Sequence, residues 1–423
     1  MKKNYLLGAM AAGMLLFTAC SNDEDIANVS GNDDATQAFV LKVASSGDGV
    51  TTRAGRPLES SEAKQSIENV KIIVCEGAAV KYVTSVSDWN KTGSTPYTAG
   101  GHGREKTIEI PKESKLTPGT YTVYAFGYST GSDYDLKKIT DIADGATSGT
   151  FDANTTLSFK DAATNKIGEE IFAGSLSLTV TEGKGFKSPV VLNRQVAGTF
   201  GYVKDIPFIT DGVKLRLVAS AKNSQLVLGQ FGNFDLTGNG TGNDGHINYV
   251  VNGTGPVADK VIYDITLTDW FTSIKDDNND GIIDAGANWK GNATKYAEGS
   301  AFAGEFLIPF SKQTGTNTFT LELTKTDNTV LRSWTVKLPT ADGQLSSHDL
   351  YTWNTDFVKT TNTDTNTEYN VVRNHLYGIG KRTLDEPTNP GTDPDEPESL
   401  NTKQELTLRV NDNWEVVHNM DIE

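Results

Sequence analysis

The sequence is poor in sulfur, poor in histidine and short of positive charge, and each shortage removes a class of protein. Its 423 residues hold two cysteines and five histidines. Cys20 belongs to the leader described below, so no intramolecular disulfide is left to staple a fold. Cys75 lies in the strand-like run "NVKIIVCEG" and reads as a small buried hydrophobe. His102, His246, His348, His375 and His418 are scattered, none with a Cys, Ser or second His at metal or triad spacing. Against 54 Asp and Glu stand 38 Lys and Arg, a formal charge of -16 that argues against a nucleic-acid partner. No Walker loop, dinucleotide fingerprint or zinc signature is present. The glycine-rich "TGNGTGNDG" lacks the strand-to-helix setting of a phosphate loop. The chain does not read as an enzyme.

What is there begins with a leader. "MKKNYLLGAMAAGMLLFTAC" places Lys2 and Lys3 before an apolar run over residues 6–17, too short to span a bilayer comfortably. "FTAC" matches a lipobox, so residues 1–19 are expected to be a signal peptide and Cys20 the lipidated first residue of an exported form. An ordinary signal with an incidental cysteine is the plainer alternative. The "SNDED" that follows resembles the acidic tag that sends lipoproteins of Bacteroidota to the outer face of the outer membrane.

Strand-like runs then recur throughout: "NVKIIVCEG", "KTIEIPK", "GTYTVYAFGYS", "SLSLTVTEG", "VKLRLVASA", "VIYDITLTDW", "NTFTLELTK" and "SWTVKLP". Several alternate with period two, as where Phe319, Leu321 and Leu323 share a face. Turn clusters such as "TPG" and "DNT" separate them. Only "DLKKITDIADG" has helical spacing, and it is brief. The pattern predicts an all-β protein of two β-sandwich domains, residues 54–192 and 193–383, with the break near "VVLNRQVAG". Residues 384–402 hold an acidic, proline-rich stretch that reads as a stiff extended linker unable to pack a core. Residues 403–423 look like strand again, with no obvious sheet to join.

The two ends of the chain match. "TQAFVLKV" carries Phe39, Leu41 and Val43 on one face, with Lys42 between the last two. "KQELTLRV" carries Leu406, Leu408 and Val410 at the same spacing, with Arg409 between the last two. Strands with one binary pattern can occupy one groove, because alternation fixes the face. Between the first strand and the body lies "TTRAGRPL", a polar tether. Cutting after Arg53 would release a lipidated propeptide, residues 20–53, and leave an unpaired edge that templates another chain. The C-terminal segment of a neighbouring copy would then insert as a donor strand. Trp414, Val416, Met420 and Ile422 would extend that contact. Arg56 is a poorer cut site because Pro57 follows it.

Read over nearly its whole length, the chain resembles a fimbrillin, a type V pilin of Bacteroidota, and in particular the shaft subunits of the short (minor) fimbria. The resemblance rests on the lipoprotein signal, "RAG", "LTPGTYTVYAFGY", "VVLNRQVAG", "GEFLIPFSKQTGTN", "VVRNHLYGIG" and the acidic linker before "ELTLRVNDNWEVV", in that order. It implies two transthyretin-like β-sandwich domains, an outer-membrane lipoprotein precursor and trimming between Arg53 and Ala54 by an arginine-specific trypsin-like protease. It further implies polymerisation by donor-strand exchange through residues 406–422, with other copies and accessory fimbrial subunits as partners. The mature form would sit in cell-surface fimbriae that support adhesion and biofilm formation. Where family tails often carry "PW", this chain has "NDNW", which leaves the bend before Trp414 open. A monomeric surface glycan-binding lipoprotein and a fimbrial tip or anchor subunit are the alternatives.

No cofactor is required by this reading. "DDNNDGIID" has the oxygen spacing of an EF-hand-type calcium loop, with Asp276, Asn278, Asp280, the Ile282 carbonyl and Asp284 as candidate ligands. Ala287 stands where the bidentate acid belongs, so an acidic solvated turn competes evenly with a weak structural calcium site.

Overall fold

A computed structural model describes residues 35–44, 66–96, 103–161, 169–228, 234–235, 246–247, 252–311, 313, 315–337, 351–353, 359–361, 371, 373, 376–382, 389–391, 395–401 and 405–411. Strands dominate it. The first group comprises β1 (Gln37–Ala44), β2 (Asn69–Glu76), β3 (Ala79–Val86), β4 (Thr95–Pro96), β5 (Gly103–Glu109) and β6 (Gly119–Tyr128). After the short β7 (Thr156–Ser158) come β8 (Ile171–Val180) and β9 (Phe186–Arg194). Their order, β3-β2-β6-β8-β9-β1-β5-β4, folds into two layers at β9. That strand pairs with β1 over residues 186–192 and with β8 only through Asn193 and Arg194. Gly174 sits at the crossover, where a Cβ would stand 1.8 Å from the Val191 carbonyl oxygen.

Alternation explains what lies between the layers. Phe39, Leu41 and Val43 of β1 and Val190 and Leu192 of β9 face Val70, Ile72 and Val74 of β2, with Val123 and Ala125 of β6. The run "NVKIIVC" is buried on both faces of its sheet, because Ile73 and Cys75 pack the other way, into a core shared with Tyr134, Ile139, Phe151 and Leu157. Burial pushes the Cys75 thiol up to about 11, so it is an inert packing group. The helical spacing at Leu136 yields one turn, Lys137–Thr140, with Ile139 inward.

The second group comprises β10 (Ala197–Lys204), β11 (Lys214–Ala219), β12 (Asn223–Val227), β13 (Phe234–Asp235), β14 (His246–Ile247), β15 (Gly253–Pro256), β16 (Val261–Thr266), β17 (Ala301–Leu307), β18 (Phe319–Thr324) and β19 (Val330–Lys337). It ends with β20 (Tyr351–Trp353), β21 (Lys359–Thr361), β22 (Leu376–Ile379), β23 (Glu398–Ser399) and β24 (Glu405–Asn411). The main order is β16-β11-β18-β19-β24-β22-β10-β17. Leu215, Leu217, Leu321, Leu323, Trp334, Phe200 and Ile379 line its interior. β9 runs on to Arg194, so the turn Gln195–Val196 marks the junction between the groups. The groups are stitched together: β7 pairs with β12 beside β15, and one buried cluster runs from Ile73 to Leu400.

Two expectations are corrected here. The stretch 384–402 is not simply an extended linker, because its last residues belong to the second sandwich. Lys381 and Glu396 exchange main-chain hydrogen bonds of 2.7 and 2.8 Å, β23 pairs with β10, and Asp395 and Leu400 are fully buried. Main-chain pairing is open to an acidic, proline-rich sequence wherever one neighbouring strand offers an edge. Just upstream, the buried Arg382 guanidinium lies over the rings of Tyr296, Phe302 and Tyr202 at 4.4, 5.5 and 5.7 Å. The segment after the linker also does have a sheet to join. β24 is parallel to β19 through residues 405–407 and antiparallel to β22 through residues 408–411.

Candidate functional site

The candidate site is the slot that β1 fills in the first sandwich. β1 runs parallel to β9, Gln37 opposite Phe186 and Val43 opposite Leu192, and antiparallel to β5, Ala38 opposite Glu109 and Ala44 opposite Gly103. Residues 38–43 therefore face a neighbouring strand on each side. Phe39, Leu41 and Val43 are fully buried, and Phe39 packs its ring 5.3 Å from that of Phe186. Burying three such side chains is worth about 5–9 kcal/mol. Each ladder hydrogen bond adds on the order of 1 kcal/mol. On the opposite face Lys42 stands across from Glu105, a pairing of unlike charges.

The upstream end of the slot is built for close approach. The Phe186 N–H donates to the Thr36 carbonyl at 2.9 Å, and Gly185 permits it, since a Cβ there would lie 2.2 Å from that oxygen. Gln37 is 6% exposed and closes a two-bond ring with the Leu116 main chain. Its Nε2 donates to the Leu116 carbonyl at 3.0 Å, and its Oε1 accepts from the Leu116 N–H at 2.8 Å.

The walls are held by groups other than β1. Arg104 of β5 is buried and donates to the carbonyls of Trp89, Lys91 and Ser94 and to the Ser94 hydroxyl. Burial lowers its pKa from the usual arginine value. This ties β5 to the single π-helical turn Trp89–Gly93. The N–H and hydroxyl of Ser66 donate to Glu170 Oε2 at 2.8 and 2.7 Å. Glu170 in turn accepts from Arg194 Nε at 2.6 Å, both side chains being buried. The body is thus pinned at residue 66 by contacts independent of β1.

Phe39, Leu41 and Val43 come together in this slot. Leu406, Leu408 and Val410 lie on β24 in the second sandwich, opposite Val336, Ile379 and Tyr377. Cys20, Arg53, Ala54, Trp414, Val416, Met420 and Ile422 fall outside the described residues. The loop Asp276–Asp284 is exposed over residues 277–281, buries Ile283 in the core and is organised by its own main chain. Asp276 accepts from the N–H groups of Asp280 and Gly281 at 3.1 and 2.9 Å, and Asp284 from that of Asp277 at 2.9 Å. Among the described residues no three His, Cys, Asp or Glu side chains converge closely enough to hold a metal ion. Sequence reading passed over Gln37, Arg104, Glu170 and Arg194. Only Gln37 carried a legible signal, as it recurs at Gln404 in the matching tail segment.

No protein-family model matches the chain, and no curated protein matches it in sequence. Solved structures similar to it include the tip fimbrial protein Mfa3 from Porphyromonas gingivalis with C-terminal truncation, at 12% identity and TM-score 0.40 over 89% of this chain and 99% of that one. The fimbrial anchor protein Mfa2 from the same organism is similar at 10% identity and TM-score 0.34, over 82% and 90%. A putative cell adhesion protein from Bacteroides eggerthii is similar at 15% identity and TM-score 0.39, over 90% and 97%. At these scores the likenesses assign no role to any residue of this chain. Its function is read from the strand slot.

Proposed function

We propose that this protein is a structural subunit of a cell-surface fibre, exported as a lipoprotein and activated by removal of β1. A protease of arginine specificity cuts between Arg53 and Ala54, and residues 20–53 leave with their lipid on Cys20. The vacated slot between β9 and β5 then accepts residues 406–422 of a second copy. The observation that carries this reading is the seating of β1. It fills a deep apolar slot on three alternate side chains, while the body is fastened separately at Ser66 through Glu170 and Arg194.

The ladders of the first slot suit an incoming strand. In its own second sandwich β24 pairs with β19 through residues 405–407 and with β22 through residues 408–411. In the first sandwich's slot it would face strands on both sides, as β1 does. Main-chain pairing along both edges of that slot would hold the incoming strand. Intact mass and N-terminal sequencing of the surface-extracted protein test the maturation step, with Ala54 as the expected first residue.

A second reading has its own observation. β24 closes the second sandwich of its own chain, which is what a self-complemented monomer, a tip or an anchor subunit would keep. Cysteines placed in β24 and along the first slot separate the two, since only exchange links them between molecules. The acidic loop over residues 276–284 is proposed as a weak structural calcium site of the second sandwich, auxiliary to assembly.

A further inference from the structure

We propose that Gln404 of a second copy replaces Gln37 at the Leu116 main chain and so sets the register of the incoming strand. This rests on the strand-exchange reading and adds what fixes the alignment. The apolar pattern cannot fix it. Side chains alternate with period two, so a slip of two residues keeps Leu406, Leu408 and Val410 on the inward face, one slot along. Gln37 lies on that same face as Phe39, Leu41 and Val43, at the end of the row. It answers a main-chain N–H and carbonyl, both of Leu116, a residue that is itself buried.

Aligned in the β1 register, "KQELTLRV" puts Gln404 at the Gln37 position, Leu406 at Phe39, Leu408 at Leu41, Arg409 at Lys42 and Val410 at Val43. A slip of two in one direction drives the Gln404 amide into the fully buried slot of Phe39. A slip in the other brings Leu406 to the Leu116 groups, which then lose both bonds. Either error strands a buried polar group, so one glutamine is a stop in both directions. The outward face agrees with this alignment: Arg409 would stand opposite Glu105, as Lys42 does. Glu405 replaces Ala38, between Glu109 on β5 and Lys187 on β9, where the lysine offsets the like charge.

The test uses the full chain, processed by an arginine-specific protease and carrying Thr407→Cys with a second cysteine at Thr107, Glu105 or Glu109. Thr107 faces Val40, the position Thr407 would inherit, and the other two report slips of two residues. Wild-type Gln404 should give intermolecular disulfides dominated by the Thr107 position. Gln404→Ala should lower that preference about tenfold, the loss expected for about 1.4 kcal/mol of hydrogen bonding. Gln404→Glu keeps the acceptor but loses the donor, and should fall between the two. Gln37→Ala leaves with the propeptide, so its polymers should keep the wild-type register. An unchanged Thr107 preference in Gln404→Ala overturns the register role while leaving exchange intact. Absence of intermolecular disulfides at all three positions, with wild-type Gln404, overturns strand exchange itself.

Discussion

β1 and β24 sit in slots of one design in different sandwiches. Each runs parallel to one neighbour and antiparallel to the other. β1 is laddered on both sides along nearly its whole length. β24 pairs with β19 through residues 405–407 and with β22 through residues 408–411. A strand enclosed on both edges, as β1 is, leaves only when something else forces it. The comparison teaches why a protease would be needed at the end of the chain that carries β1, the strand to be displaced.

The largest expected effect comes from keeping β1 in place. Arg53→Ala should leave lipidated, unprocessed chain and no polymer by gel filtration or electron microscopy, and normal polymers from it would sink the proposed maturation. Next, removing residues 403–423 should give a processed, folded protein that accepts a donor strand and cannot supply one. Cutting instead after Thr383 should also destabilise the second sandwich, because Leu400 and Asp395 go with the tail. Leu400→Ala alone is expected to cost about 2–5 kcal/mol in a denaturant titration.

Within β1, Phe39→Ala should destabilise the unprocessed chain by about 3–5 kcal/mol, and leave the processed form, which lacks the residue, unchanged. An equal loss in both forms would show that the residue stays after maturation. Glu170→Ala should remove the buried ion pair with Arg194 and the acceptor of Ser66, costing about 3–5 kcal/mol before and after processing alike. This sharpens the contrast, since the anchor at Ser66 is meant to outlast β1. The smallest effect concerns calcium. Millimolar calcium should raise the melting temperature of the processed subunit by a few degrees and chelator should reverse it, while a melting point indifferent to both would leave residues 276–284 an acidic turn.

The strands were legible where alternation or unbroken apolar runs marked them. "NTFTLELTK" became β18 with Phe319, Leu321 and Leu323 inward, and "NVKIIVCEG" became β2. β10, buried along most of its length, was passed over because "AGTFGYVK" mixes glycines with aromatics and shows no plain alternation. The slot itself was half legible. Phe39, Leu41 and Val43 announced an inward face, but Gln37 did not, because a polar residue in a strand ordinarily points to solvent. Its burial goes with its two hydrogen bonds to the N–H and carbonyl of Leu116, 79 residues away. The fastening of Asp395 and Leu400 was hidden for a like reason, since composition reports what a segment can bury and not which open edge lies beside it.

By itself the sequence determined that the chain is built of strands, which side chains of the first strand face inward, and that two segments far apart share one pattern. Those properties are local: side-chain alternation is set by the pleat, and polar turns by backbone chemistry. Tertiary structure decided which slot each segment occupies, that β24 closes its own second sandwich, and that a glutamine stands guard at the end of the β1 row. The pattern names a face and leaves the partner open, because ladder hydrogen bonds are made by main-chain groups that every residue but proline carries alike.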